Sequence, residues 1–147
     1  MKRKRNLQAI IQRPNREAAI QEFWERRTKL VNKKLSSFPT SYMSNAKWRK
    51  LFLALYTKED LIKGYRWNFV EGEVYPSPEI SSVLQPDDIS AQGTADGFGF
   101  PVAMPYREIE SIVVLTDRPM EIIEFLETVG RFKLIPCPQG FQVIGYE

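Results

Sequence analysis

The chain has 147 residues, a formal net charge of +3, 43% hydrophobic and 27% charged residues, and 9 Phe, 6 Tyr and 3 Trp. Such a composition builds one domain, or one domain with an appendage, and excludes both wholesale disorder and a fibrous repeat. There is no histidine, which removes Ser-His-Asp and Cys-His nucleophiles, histidine general bases and His-containing zinc sites; the single cysteine, Cys137, removes an internal disulfide and any multi-cysteine metal site. The charge is strongly asymmetric. Residues 1–50 carry fourteen Lys/Arg against three Glu, a net of +11, whereas residues 51–147 carry seven Lys/Arg against fifteen Asp/Glu, a net of −8. That division points to a basic arm on an acidic domain, or to a charged partner.

The opening Met1-Lys2-Arg3-Lys4-Arg5 has the basic character of a signal-peptide start, but residues 6–13 turn polar after two isoleucines, where an apolar core segment would be needed. The longest apolar run, Leu51-Phe52-Leu53-Ala54-Leu55, falls far short of the roughly 20 residues that cross a bilayer. No membrane span is expected, and with no disulfide to protect, a reducing cytoplasm is the expected location.

Residues 1–14 read as a basic arm ending at Pro14. Residues 15–36 read as an amphipathic helix with Ile20, Phe23, Trp24, Leu30, Val31 and Leu35 on one stripe, broken by Arg27. Glu22–Arg26 and Glu25–Lys29 are i,i+4 pairs with acid before base. Ser36-Ser37-Phe38-Pro39-Thr40 ends that helix as a linker. Ser44 is the expected N-cap of a second helix reaching about Tyr56, with Trp48, Leu51, Phe52 and Leu55 on its buried face. Thr57, three residues before Asp60, suggests a capping box for a short turn that stops at Gly64.

Period-two alternation over residues 65–70, then Glu71-Gly72-Glu73 and Val74-Tyr75, predicts a hairpin. Residues 79–106 read as loops with short extended pieces, because proline and glycine recur through them. The β-branched run 109–115 suits a central strand. Asp117 is the expected cap of a helix with Pro119 near its first position, running to Val129 and stopped by Gly130. Residues 132–135 and 141–146 complete the strands, joined through Pro136-Cys137-Pro138-Gln139-Gly140 as a loop. The expected fold is α+β: a mainly antiparallel sheet of about five strands with two helices packed on it, preceded by a basic amphipathic helix. Residues 1–42 form the arm and 43–147 the acidic domain; a product starting at Met43 would carry a net charge of −5.

The glycine-rich stretch Gly93-Thr94-Ala95-Asp96-Gly97-Phe98-Gly99-Phe100 lacks the Gly-Lys-Ser/Thr ending of a phosphate loop and the third glycine of a dinucleotide fingerprint. It reads as a tight turn exposing Phe98 or Phe100. Asp87, Asp88, Asp96, Glu108 and Glu110 form an acidic concentration that would hold a metal only if the carboxylates converged. Glu108-Ile109-Glu110 has a carboxylate where one nuclease pattern needs a lysine. Solvated surface acids are the favoured reading, and an acidic face steers a basic protein. Cys137, between two prolines with only Lys133 nearby, lacks the cationic surroundings of a reactive thiol.

The basic set Lys2, Arg3, Lys4, Arg5, Arg13, Arg16, Arg26, Arg27, Lys29, Lys33 and Lys34 suits phosphate contacts, although no recognised nucleic-acid module accompanies it. The same helix has other uses open to it: an anionic membrane surface, a partner's groove, or packing on its own domain.

From Lys47 onward, Lys47-Trp48-Arg49-Lys50-Leu51-Phe52, Gly97-Phe98-Gly99-Phe100-Pro101 and Tyr106-Arg107-Glu108-Ile109-Glu110 resemble segments of small bacterial proteins of uncharacterised families, including the cognate immunity proteins of polymorphic toxin systems. The likeness covers about 100 residues, and its motifs are of low specificity. It implies a protein without catalytic residues or cofactor that occludes a basic toxin. The resulting expectation is a non-enzymatic protein-binding module. Glu71, Glu73, Asp87, Asp88, Asp96, Glu108 and Glu110 supply its charge, and Phe98 and Phe100 its apolar anchors. Nucleic-acid binding through residues 2–34 is the alternative.

Overall fold

A computed structural model of the chain describes residues 13–70, 82–91, 93–94 and 104–147. Three helices occur among them: α1 (Arg13–Leu35), α2 (Asn45–Tyr56) and α3 (Pro119–Val129). The strands are β1 (Gly64–Phe69), β2 (Gly93–Thr94), β3 (Met104–Pro105), β4 (Ile109–Leu115), β5 (Leu134–Cys137) and β6 (Gly140–Ile144). Four of them form an antiparallel sheet in the order β1-β4-β6-β5, while β2 and β3 pair separately over two residues each. The fold is α+β. The sheet has four strands where about five were expected; Val74 and Tyr75, the expected additional strand, lie outside the described residues.

Alternation in the strands decides which side chains enter the core. Tyr65, Trp67 and Phe69 of β1 point inward, while Arg66 and Asn68 are exposed. The register sets Trp67 opposite Ile112 and Tyr65 opposite Val114, and β6 adds Val143 beside Ile112 and Phe141 beside Val114. Against this apolar face lie Trp48, Leu51, Phe52 and Leu55 of α2 and Ile122 and Leu126 of α3. Phe52 is the hub: its ring centroid lies 5.5–6.0 Å from those of Trp48, Tyr65, Trp67 and Tyr106. β4, the β-branched run, is paired on both edges as its sequence predicts.

Local chemistry explains the element ends, in three places differently from the sequence-based expectation. Ser44 caps α2 as expected, its hydroxyl accepting from the Lys47 N–H at 3.1 Å. Thr57 does not open the following turn; its hydroxyl donates to the Ala54 carbonyl at 2.6 Å and so closes α2. Asp117 does not cap α3 either. It accepts from Lys63 Nζ at 2.8 Å, while Thr116 Oγ1 takes the Arg118 N–H at 3.0 Å and Pro119 starts the helix. The third difference is β5, which runs through Pro136 and Cys137 rather than ending before them. β5 is a sheet edge, where a residue without an N–H costs no ladder bond. The reversal is therefore Pro138-Gln139, and Gly140 beyond it has φ +154°, where an added Cβ would sit 2.0 Å from the Val114 carbonyl oxygen.

The expected linker is stitched to the sheet's end. Thr40 and Glu147 exchange both backbone hydrogen bonds, at 3.2 and 3.1 Å, and the Tyr42 N–H donates to the Gly145 carbonyl at 2.8 Å. Phe38 stacks on Tyr146 with centroids 5.5 Å apart. α1 is consequently delivered to the side of the domain where Tyr106–Glu108 forms a 3-10 turn leading into β4.

Candidate functional site

α1 buries one edge of its apolar stripe, Trp24, Val31 and Leu35, and leaves the other edge exposed. Arg27, which interrupts that stripe, is 1% exposed, as is Val31, and Trp24 packs half-buried against the core. Ile20, Phe23 and Leu30, members of the same stripe, are 40%, 36% and 45% exposed. The cause is an ion pair. Arg27 Nε donates to Glu108 Oε1, and Glu108 is itself only 6% exposed. The neighbouring Arg107 donates to Asn32 Oδ1, so two consecutive residues of one turn grip α1 at Arg27 and Asn32. Rotating the helix to bury Phe23 and Leu30 would pull Arg27 away from its carboxylate, leaving a charge without its counter-ion in low dielectric, a cost exceeding that of two half-exposed apolar side chains.

Residues 16–23 of α1 are all exposed, so the helix projects past the domain before Trp24 makes contact. At 100° per residue, Phe23 and Leu30 form one ridge with Ile20 at its margin. Arg16 and Lys34 lie along one side, Arg26 and Lys33 along the other. Arg26 is tied to Glu22 at 2.6 Å.

Several expected site residues now have places. Arg27 and Glu108, assigned on sequence to two different surfaces, are partners of each other, and neither charge faces outward. Glu110 is half-buried on β4 and accepts from Asn68 Nδ2 at 3.3 Å. Asp87 is exposed and Asp88 half-buried on the 3-10 turn Pro86–Asp88, with no hydrogen bond or ion pair joining them to Glu110. Arg16, Arg26, Lys29, Lys33 and Lys34 are exposed along α1, which Arg13 opens. Lys2, Arg3, Lys4, Arg5, Glu71, Glu73, Asp96, Phe98 and Phe100 lie outside the described residues. Among the described residues no three His, Cys, Asp or Glu side chains gather as a metal-binding group, and no helix is long and apolar enough to cross a membrane.

Two charged surfaces emerge that the sequence reading missed. Glu121, Glu124 and Glu127, spaced by three, are exposed along α3 with Met120, which is also exposed. The other surface is basic. A hollow of about 730 Å³ is lined by Asn45, Ala46, Lys47, Arg49, Lys50, Leu53 and Ala91, and a second of about 340 Å³ by Tyr42, Lys47, Arg131, Phe132 and Lys133. Lys47 belongs to both, its Nζ donating to the Tyr42 carbonyl at 3.2 Å. Lys133 donates to the Tyr42 hydroxyl at 3.1 Å and to Glu147, and its ammonium lies 4.6 Å from the centroid of the Tyr42 ring. The hydrogen bond to Glu147, then that to Tyr42, raises the Lys133 pKa, and the same Lys133 bond lowers that of Glu147. The first turn of α2 has no acidic residue and instead carries Lys47, with Arg49 and Lys50 following, against the preference of a helix start for negative charge. The cluster Lys47-Trp48-Arg49-Lys50 was a signal for this surface in the sequence; Arg131 and Lys133, more than 80 residues away, gave none.

Comparison of the chain with protein-family models, with curated proteins and with solved structures found no match.

Proposed function

We propose that the protein is a non-enzymatic protein-binding module and that α1 presents its docking ridge. The observation that carries this reading is the exposure of Phe23 and Leu30 on one flank of a helix whose adjacent flank is anchored by Arg27 and Val31, with Ile20 exposed where the helix projects past the domain. Isolated exposed apolar residues are ordinary, but Phe23 and Leu30 share one flank of the helix two turns apart, and Ile20 adds apolar surface where the helix projects. Covering three partly exposed side chains of this size is worth about 2–4 kcal/mol, since full burial of each gives about 1.5–3 kcal/mol. With Arg16, Lys34, Arg26 and Lys33 along its margins, the ridge matches an apolar groove with an acidic rim, which is helix-in-groove recognition.

A second form of the reading follows from the resemblance to immunity proteins, in which an acidic face neutralises a basic toxin. The exposed Glu121, Glu124 and Glu127 of α3, together with Asp87 and Asp88, favour it. One experiment separates the two. Full-length wild type, an Ile20→Ser/Phe23→Ser/Leu30→Ser variant and a Glu121→Lys/Glu124→Lys/Glu127→Lys variant are used to capture partners from the source cell at low salt. A stoichiometric protein lost only by the serine variant, at unchanged melting temperature, supports the ridge. Loss only by the lysine variant supports the acidic face, and equal recovery by all three removes both.

A further inference from the structure

The two basic hollows belong to neither reading above and share no residue with the ridge on α1. Their walls carry five cationic side chains, Lys47, Arg49, Lys50, Arg131 and Lys133, and no carboxylate; Glu147, beside the smaller hollow, accepts from both Lys133 and the Tyr42 hydroxyl. Arg49, Lys50 and Arg131 are exposed and have no ion-pair partner among the described residues. Charges so placed repel one another, and one of them, Lys47, stands in the first turn of a helix, the wrong end for its dipole. An anionic ligand relieves both penalties. The hollows also offer something beyond charge: Ala46, Leu53 and Ala91 give the larger an apolar floor, and Tyr42 and Phe132 bring half-buried rings to the smaller.

Cations beside apolar and aromatic surface in two adjoining hollows suit a chain whose repeat alternates phosphate and base. We propose that these hollows form a track for single-stranded nucleic acid. Lys47, Arg49, Lys50 and Arg131 contact successive phosphodiesters, and the apolar floor and the Tyr42 and Phe132 rings receive bases. Two hollows in series joined at Lys47 distinguish an extended strand from a mononucleotide, which would fill one. A duplex would offer its phosphates but keep its base faces stacked away from the floor. The track is built by the folded domain rather than by residues 2–34, so its residues separate it from binding by the N-terminal arm.

The test uses the full chain and fluorescence anisotropy of labelled oligo-U and oligo-dT of about twelve nucleotides at about 50 mM salt. Arg49→Gln/Lys50→Gln/Arg131→Gln removes three exposed cations without touching the core, and circular dichroism verifies its fold. Binding should weaken at least about tenfold, and the slope of log affinity against log salt should fall by about two, since each lost contact to a single strand removes about 0.7. Lys2→Ala/Arg3→Ala/Lys4→Ala/Arg5→Ala should weaken binding by less than about threefold, a change too small to remove several phosphate contacts. Uridine monophosphate and polyglutamate should compete poorly. No oligonucleotide binding at this salt, equal affinity in the glutamine variant, loss confined to the arm variant, or equal competition by polyglutamate would each overturn the proposal.

Discussion

Replacing Arg27 by methionine tests what fixes the face of α1. Methionine preserves most of the stem that crosses the interface and removes the charge, leaving the Glu108 carboxylate, 6% exposed, without the cation it faces. Removing one partner of a buried pair costs about 3–5 kcal/mol, against a total stability of about 5–15 kcal/mol for a domain. At about 2–4 °C per kcal/mol for a chain of this length, the melting temperature should fall by about 6–20 °C. The loss has a ceiling set by how firmly α1 is docked. Val31 and the covered part of Trp24 contribute about 3–5 kcal/mol of burial, so beyond that cost the helix detaches rather than the domain unfolding. Urea titration followed by tryptophan fluorescence measures the first outcome, and trypsin cleavage within α1 reports the second. Glu108→Gln should be similarly costly, and Arg27→Met/Glu108→Gln should lose at least about 2 kcal/mol less than the two single losses combined, because neither variant then strands a charge. Single losses under about 1 kcal/mol with no added cleavage, or strict additivity in the cycle, would refute the ion pair as the determinant.

Tyr65 is wholly buried, its hydroxyl has no hydrogen-bond partner among the described residues, and burial drives its pKa far up. Tyr65→Phe should therefore raise stability by about 1 kcal/mol, whereas Tyr106→Phe, which removes a 2.6 Å bond to the Ser90 carbonyl, should lower it by about as much; thermal melts of both that shift together would contradict this accounting. The Lys133–Glu147 contact gives a pH signature. Glu147 is held below its ordinary value of 4.5, so its contribution is present above that pH and fades as pH falls through the lowered folded value; Lys133 is held above 10.5, so its contribution is present below that and fades as pH rises through the raised one. Wild type and Glu147→Gln should differ most in melting temperature near neutrality and converge at both extremes, and a constant gap across pH would count against the contact.

Where one physical preference acted alone, the sequence was readable. Ser44 before Asn45, Pro119 after a strand, and alternating aromatics over Tyr65, Trp67 and Phe69 each produced the expected cap, helix start or strand face, because each depends on neighbours within a few residues. The expectations that failed met a competing hydrogen-bond partner. Thr57, with Asp60 three residues on, has the pattern of a turn opener and instead closes α2, and Asp117 is held by Lys63 from 54 residues away. Pro136 read as a loop residue because its missing N–H is disqualifying in a central strand, but whether a strand is central is decided by the whole sheet.

The surfaces were less readable than the fold for the same reason carried further. Periodicity weighs Arg27 as a defect in an apolar stripe, since hydropathy scales assign a guanidinium to water. Its carboxylate partner 81 positions later reverses that weighting, and once Arg27 turns inward Phe23 and Leu30, on one side of it, turn out. One long-range ion pair thus accounts for both the inward place of Arg27 and the exposed ridge of Phe23 and Leu30. The basic track has the same origin: Lys47, Arg49 and Lys50 are neighbours in sequence, but they form lined hollows only because Tyr42 and Ala91 lie beside them and Arg131 and Lys133, from the acidic half, are brought up to Lys47. A charge total divided at residue 50 conceals this, because folding mixes the two halves at the surface where the charge acts.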